Sequence, residues 1–342
     1  MRIFILLSSL FLVFSCSEKE KSHQYTSVEI ETVYEGDVSI RAIEVMPGSL
    51  AFAGSNGVYG TVDTQSQKVR TNTMEYDTIV PAFRAVAHTA TDFFMLSVAS
   101  PALLYKTGSA GKMELVYKEE GDGVFYDAMT FWNDQEGLAI GDSRDGCLSI
   151  IITRDGGSTW QKTPCSNLPQ APEGEGAFAA SNTNIVVKGD MAWVATTSGT
   201  VYYSEDKGVS WEVVQTPMIH EKETEGIYGL AFYDEKLGYA IGGDYTDPEA
   251  KIKNKAITFD GGHTWELIAD GNAPNYRSCV QFIPHSGGND LIAIGFTGIS
   301  YSGTKGKTWK EFSKEPFYTI RFLNDSVAYA AGRNRISKLT FN

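Results

Sequence analysis

Four residues stand out in this chain for chemistry that depends on position. Arg41 opens the run Arg-Ala-Ile-Glu-Val and Arg84 is second in Phe-Arg-Ala-Val-Ala-His. Asp127 opens Asp-Ala-Met-Thr-Phe, and Arg277 stands one residue out of that phase, ahead of Cys-Val-Gln-Phe. A guanidinium is a rigid fork of donors that matches a carboxylate. Arginines recurring at one place in successive similar strands therefore either tie neighbouring units through salt bridges or gather into a docking site for an acidic group, and both readings stay open here. Two loops add polar side chains: Gly-Asp-Ser-Arg-Asp-Gly, with Asp142, Arg144 and Asp145, and the longer segment 242–255, with Asp244, Tyr245 and Asp247. Loops enlarged on one face are where repeat proteins usually bind their partners.

Other chemistries find little to work with. The histidines His23, His88, His220, His263 and His285 are scattered, and His220-Glu221 lacks the second histidine of a zinc protease helix. The spacing of the loop acids matches no calcium loop. No Gly-x-Gly-x-x-Gly opens a helix. The expectation is a chain with no metal, no cofactor and no catalytic residue to name. A formal charge of −13 argues against nucleic acid or an anionic lipid surface as the main partner.

What must position these groups is a repeat. Thr-Arg-Asp-Gly-Gly-Ser-Thr-Trp ends at Trp160, and close copies end at Trp211, Trp265 and Trp309. In each, an Asp (Asp155, Asp206, Asp260) can accept from backbone N–H groups a few residues on, a Gly (Gly157, Gly208, Gly262, Gly306) supplies positive φ, and the Trp offers a broad apolar face. The fourth copy carries Thr304 in place of the Asp. Between the copies runs a second marker, a β-rich stretch ending in small residues at Gly54, Gly141, Gly242, Gly295 and Gly332. Six periods between Gly54 and Gly332 give units of about 46 residues, the size of a four-stranded propeller blade. The units start near Ile40, Phe83, Phe125, Phe178, Tyr228, Tyr276 and Phe317.

The pattern predicts an all-β, seven-bladed propeller over residues 25–342, a single domain. The last unit has room for three strands, so the alternating run Ser27 to Tyr34 is expected to supply its outer fourth strand and close the ring. Taking Thr153 opposite Trp160, Cys147 lies nearly opposite Cys165, within disulfide reach; a bridge and two free thiols both remain open. Cys279, inside an inner strand, reads as a small buried residue.

The octapeptides resemble the Asp-box, or bacterial neuraminidase repeat, of sialidases, sortilin-type receptors and the photosystem II assembly and stability factors. The resemblance implies that the boxes are structural hairpins on the rim of a propeller. Within that group the chain is most similar to the photosystem II factors, seven-bladed propellers with arginines at recurring inner-strand positions. Arg41 and Arg84 match that position, with Ala42 and Ala85 where an acidic residue often follows. What the likeness implies is a non-catalytic assembly scaffold that binds a protein of a membrane or envelope complex and is monomeric on its own. The alternative is a sialidase-like glycoside hydrolase or a glycan-binding propeller, to which Phe83-Arg84-Ala85-Val86 is a loose match.

Residues 1–15 read as an export signal, with Arg2 basic and Ile3 to Phe14 apolar but too short to span a bilayer. Leu12-Val13-Phe14-Ser15-Cys16 resembles a bacterial lipobox, which makes Cys16 the expected lipidated first residue. Residues 16–24 form a charged tether. The expected location is the cell envelope of a Gram-negative bacterium, on a lipid anchor in the outer membrane.

Overall fold

Apolar residues alternating with polar ones through runs of four to eight residues bury one face of a strand at a time, and the turn-forming glycines between the runs fold each strand back on the last. The computed structural model describes residues 24–108 and 111–342, and these form seven four-stranded antiparallel sheets. The inner strands are Ala42–Met46, Phe83–His88, Tyr126–Phe131, Ile185–Lys188, Glu225–Phe232, Cys279–Phe282 and Thr319–Phe322. Each contacts the inner strands of the blades before and after it, and blade 1 meets blade 7, so the sheets close into a ring. The apolar core is correspondingly divided into clusters that straddle successive blades, such as Ala85, Phe94, Tyr126, Ile151 and Trp160. The leader, Cys16 and all but the last residue of the tether lie outside the described residues.

The N-terminal strand closes blade 7 as its outermost member. It is longer than expected, Val28–Ser39, and pairs with Arg333–Phe341 from Val28 opposite Phe341 to Ser39 opposite Arg333. Its start is pinned by the Tyr25 hydroxyl, which donates to the Asp325 carbonyl at 2.6 Å, and by Lys310, which donates to the Thr26 carbonyl at 2.9 Å.

The octapeptides form the hairpins between third and fourth strands. In blade 3, Asp155 accepts from the Thr159 N–H at 2.9 Å and from its hydroxyl at 2.7 Å, while the Trp160 indole donates to the Gly157 carbonyl at 3.2 Å. Asp206 and Asp260 repeat the arrangement. Gly157 has φ of 75°, and a Cβ there would sit 2.2 Å from the Phe94 ring of the preceding blade. The glycine is thus needed both for its backbone and for the docking of one blade on the next. Cys147 and Cys165 are joined in a disulfide, and Cys279 is free and buried.

Blade 4 departs from the expected phase. Its inner strand begins at Ile185, not near Phe178. Residues 175–184 instead run across the central channel, anchored by the buried Glu175 carboxylate, which accepts from Thr196, Thr200 and Tyr202 at 2.6–2.7 Å. Asn182 accepts from the Met129 N–H at 3.0 Å and donates to the Val86 carbonyl at 2.9 Å. Ser181 donates to the Ser278 carbonyl, its own carbonyl accepts from Thr319, and the Thr183 carbonyl accepts from the Leu230 N–H. One small, polar segment thereby satisfies inner-strand groups from blades 2, 3, 5, 6 and 7, which face a channel and have no strand beyond them.

Candidate binding site at the channel mouth

The crossing segment divides the channel. On the hairpin side lies a cavity of about 710 Å³ bordered by Glu44 and Arg321. There Glu44 accepts from Arg321 at 3.3 Å and lies 3.1 Å from His88, so the salt bridges between blades that inner-strand charges can form are made at this end. On the other side lies a bowl of about 330 Å³ floored by Phe178, Ala179 and Ala180, with Arg41 and Arg84 on its wall.

Strand register explains which residues reach the bowl. In blades 1, 6 and 7 the residues just ahead of the pairs Ala42 with Ala53, Cys279 with Ile294 and Thr319 with Ala331 are Arg41, Ser278 and Tyr318. In blades 2, 3 and 5 the same place is a bulge, where Arg84, Asp127 and Tyr228 are skipped by the pairing. A bulged residue is re-aimed out of the ladder, and Arg84 and Tyr228 line the bowl with Arg41, Ser278 and Tyr318.

Arg277 does not join them. With Ser278 at the channel-facing place, a one-residue offset turns Arg277 to the opposite side. It is 2% exposed, and its guanidinium donates to Asn275, the Tyr276 carbonyl, Thr297 and Ser300. Burial pulls its pKa down to about 10. Asp127 is likewise covered, fully buried beneath the start of the crossing segment, where the Asp142 carboxyl and the Ala177 N–H are its polar neighbours. Burial, reinforced by the neighbouring Asp142, pushes its carboxyl well above the usual range against the pull of Arg84. Asp142 beside it accepts from the Ala177 N–H at 3.3 Å, and burial raises its carboxyl too.

Arg41 and Arg84 are different. Both are half-buried, and among the described residues neither pairs with a carboxylate. The Arg41 guanidinium lies 4.2 Å over the Tyr318 ring. Burial lowers the Arg84 pKa, and Arg41 beside it pushes the same way, against a weaker pull from Asp127. The facing wall is aromatic: Phe178 stacks on Tyr228 at 3.7 Å, and Tyr276 meets Tyr228 edge-on at 4.9 Å. Two half-buried cations, ring faces and phenol hydroxyls, with no carboxylate in the lining, can hold an anion and stack a flat or apolar group beside it.

The loop residues scatter in role. Arg144 pairs with Glu119 at 2.9 Å, and Asp145 turns a corner at φ of 56°. Asp244 is 4% exposed; burial raises its carboxyl, but hydrogen bonds from Thr246 and Lys222 outweigh this and hold it far below the usual range. Asp247 is exposed and lies away from the bowl, whereas Tyr245 lies on its rim. The aromatic wall escaped the sequence reading, although Tyr228 and Tyr318 share the phase of Arg41 and Arg84. Among the described residues no three His, Cys, Asp or Glu side chains converge as a metal site.

No protein-family model and no curated protein matches the chain. Its fold is shared by solved structures. A structure described as YCF48 bound to D1 peptide superposes with a TM-score of 0.63 at 14% identity, covering 94% of this chain and 99% of the other. YCF48 from Cyanidioschyzon merolae gives 0.66 at 12% identity, covering 92% and 99%. The WD40 repeats of RRP9 give 0.66 at 9% identity, covering 93% and 100%. At these identities the likeness is one of fold.

Proposed function

We propose that the chain is an exported lipoprotein, anchored through Cys16 in the envelope of a Gram-negative bacterium, whose propeller is a non-catalytic scaffold that grips an acidic segment of a protein partner at the Arg41 and Arg84 bowl. The observation that carries this reading is the pair of half-buried guanidiniums that make no salt bridge to a carboxylate among the described residues, in a protein of net charge −13. Like charges held close together are costly, and an incoming carboxylate relieves both at once. The protein thus has acids in excess but keeps them out of this bowl. The YCF48 structure with a D1 peptide supports the reading by analogy of fold. So does the direction of the N-terminal strand, which starts at the hairpin rim, where Tyr25 meets Asp325, and ends at Ser39, next to Arg41, so that the bowl lies at the end of the ring away from Tyr25.

The test is capture from a detergent extract of native membranes. An Arg41→Glu/Arg84→Glu double variant should lose the partner while melting at the wild-type temperature; undiminished capture would count against the bowl. Cys16→Ser should move the protein from the membrane to the soluble fraction. Release of aryl aglycone from a glycoside panel by the wild-type protein would favour the glycosidase reading instead.

A further inference from the structure

The bowl is polarised around the ring. Arg41 and Arg84 come from the adjacent blades 1 and 2, whereas Tyr228, Tyr276 and Phe296 come from blades 5 and 6, across the channel, with Phe178 of the crossing segment stacked on Tyr228. Two aromatic side chains at its rim stay open to solvent, Tyr245 at 47% and Phe296 at 38%. The loops that carry them do not need them. The turn after Asp244 is closed by that carboxylate, which accepts from the Thr246 N–H at 2.8 Å and from its hydroxyl at 2.6 Å. The turn from Gly295 to Gly298 is tied by the Thr297 hydroxyl, which donates to the Tyr276 carbonyl at 2.6 Å.

Phe296 rests on Tyr276 at 5.0 Å and Tyr245 stands edge-on to Tyr228 at 6.5 Å, so both extend an already stacked platform. Tyr276 is 3% exposed and lines the bowl. A rigid aromatic arc facing two cations complements a ligand with an apolar ring and a carboxylate on neighbouring positions. About 330 Å³ is at the small end of binding pockets and admits an extended chain segment, not a folded surface.

We infer that the bowl selects, among acidic segments of a partner protein, those with an aromatic side chain within a residue or two of the carboxylate, the ring lying against the arc formed by Tyr228, Tyr276 and Phe296. The inference rests on the acidic-segment reading above, and its test separates the two. Fluorescent Gly/Ser peptides capped at both ends, carrying Asp-Trp, Asp-Ala or Asn-Trp, are titrated by anisotropy against the full chain in detergent. The same titrations use Tyr245→Ala/Phe296→Ala and Arg41→Glu/Arg84→Glu.

Asp-Trp should bind about tenfold tighter than Asp-Ala, the worth of one stacked and buried ring. The aromatic double variant, which removes one ring of the arc and the ring beside it on the rim, should shrink that difference by weakening Asp-Trp more than Asp-Ala, with wild-type melting temperature. The arginine double variant should lose both acidic peptides. Equal affinity for Asp-Trp and Asp-Ala overturns this inference and leaves the arginine reading standing. Equal affinity for Asp-Trp and Asn-Trp, or binding of no peptide, overturns both. An uncapped peptide that gains affinity only through its terminal carboxylate, without the ring, counts against the aromatic preference, as does tighter binding of a uronate disaccharide than of either acidic peptide.

Discussion

Thr304→Asp should stabilise the protein, and the size of the gain can be worked from the three intact hairpins. At Asp260 one carboxylate oxygen accepts from the Thr264 N–H at 2.9 Å and the other from the Thr264 hydroxyl at 2.6 Å. At Thr304 a single hydroxyl takes the Thr308 N–H at 2.9 Å and meets the Thr308 hydroxyl at 2.8 Å. The substitution adds a second acceptor oxygen and turns two neutral contacts into charge-assisted ones. Such bonds contribute roughly 1.5–3 kcal/mol when sheltered. This hairpin is exposed, and the Thr304 hydroxyl contacts are lost, so about 1 kcal/mol is expected, or about 2 °C in Tm for a domain of this size.

The gain has a pH signature. Against the desolvation that raises it, the Asp260 carboxyl is held below its ordinary value by the Thr264 hydroxyl and N–H. A depressed folded pKa gives stability that is fully present above the unfolded value near 3.9 and is lost as pH falls through the folded value. Thermal unfolding of wild type and Thr304→Asp at pH 7 and pH 5 should therefore show the same increment, and it should shrink below pH 3. Asp260→Thr should lose a comparable amount. An unchanged Tm at pH 7 for Thr304→Asp would mean that the Gly and Trp docking alone sets hairpin stability, and the carboxylate argument would fail.

Removing residues 24–39 exposes the edge of Arg333–Phe341 and should lower Tm on the order of 10 °C, with self-association visible by light scattering; a monomeric truncation that melts like the full chain would contradict the clasp. Asn182→Ala leaves the Met129 N–H and the Val86 carbonyl unpaired inside the channel and should cost about 2–4 kcal/mol in urea unfolding. Lys255 is 1% exposed among carbonyl oxygens, and burial, with smaller pushes from Arg277 and Lys251 against the pull of Asp270, lowers its amine to about 7. The unfolded chain then binds the extra proton between about pH 7 and the ordinary lysine value near 10.4, so stability should rise with pH across that window. Lys255→Met should flatten the slope of urea midpoint against pH between 7 and 9.5, and an unaltered slope would assign it to other groups.

The ring itself was legible in the amino-acid sequence because its information is local. An Asp and a Thr or Ser four residues on close the same hairpin wherever they occur, a glycine at positive φ is needed in each copy, and alternation decides the buried face of each strand. The closing strand was legible too, since one blade lacked a partner and one alternating run lacked a blade.

Residues 175–184 were misread as the start of a strand because spacing measures distance along the chain. Their hydrogen bonds go to five other blades, which no local pattern encodes. Arg277 was misplaced for a related reason. The side-chain period of a strand is two, so a one-residue error reverses the face, and the bulges at Arg84, Asp127 and Tyr228 that set the true phase exist only once the strands pair. Local sequence thus determined the repeat, the hairpins and the closed ring. Tertiary structure decided which charges form salt bridges, at Glu44 and Arg321, and which, at Arg41 and Arg84, make none among the described residues and stand beside an aromatic wall, because compensation of a charge depends on what lies across the channel.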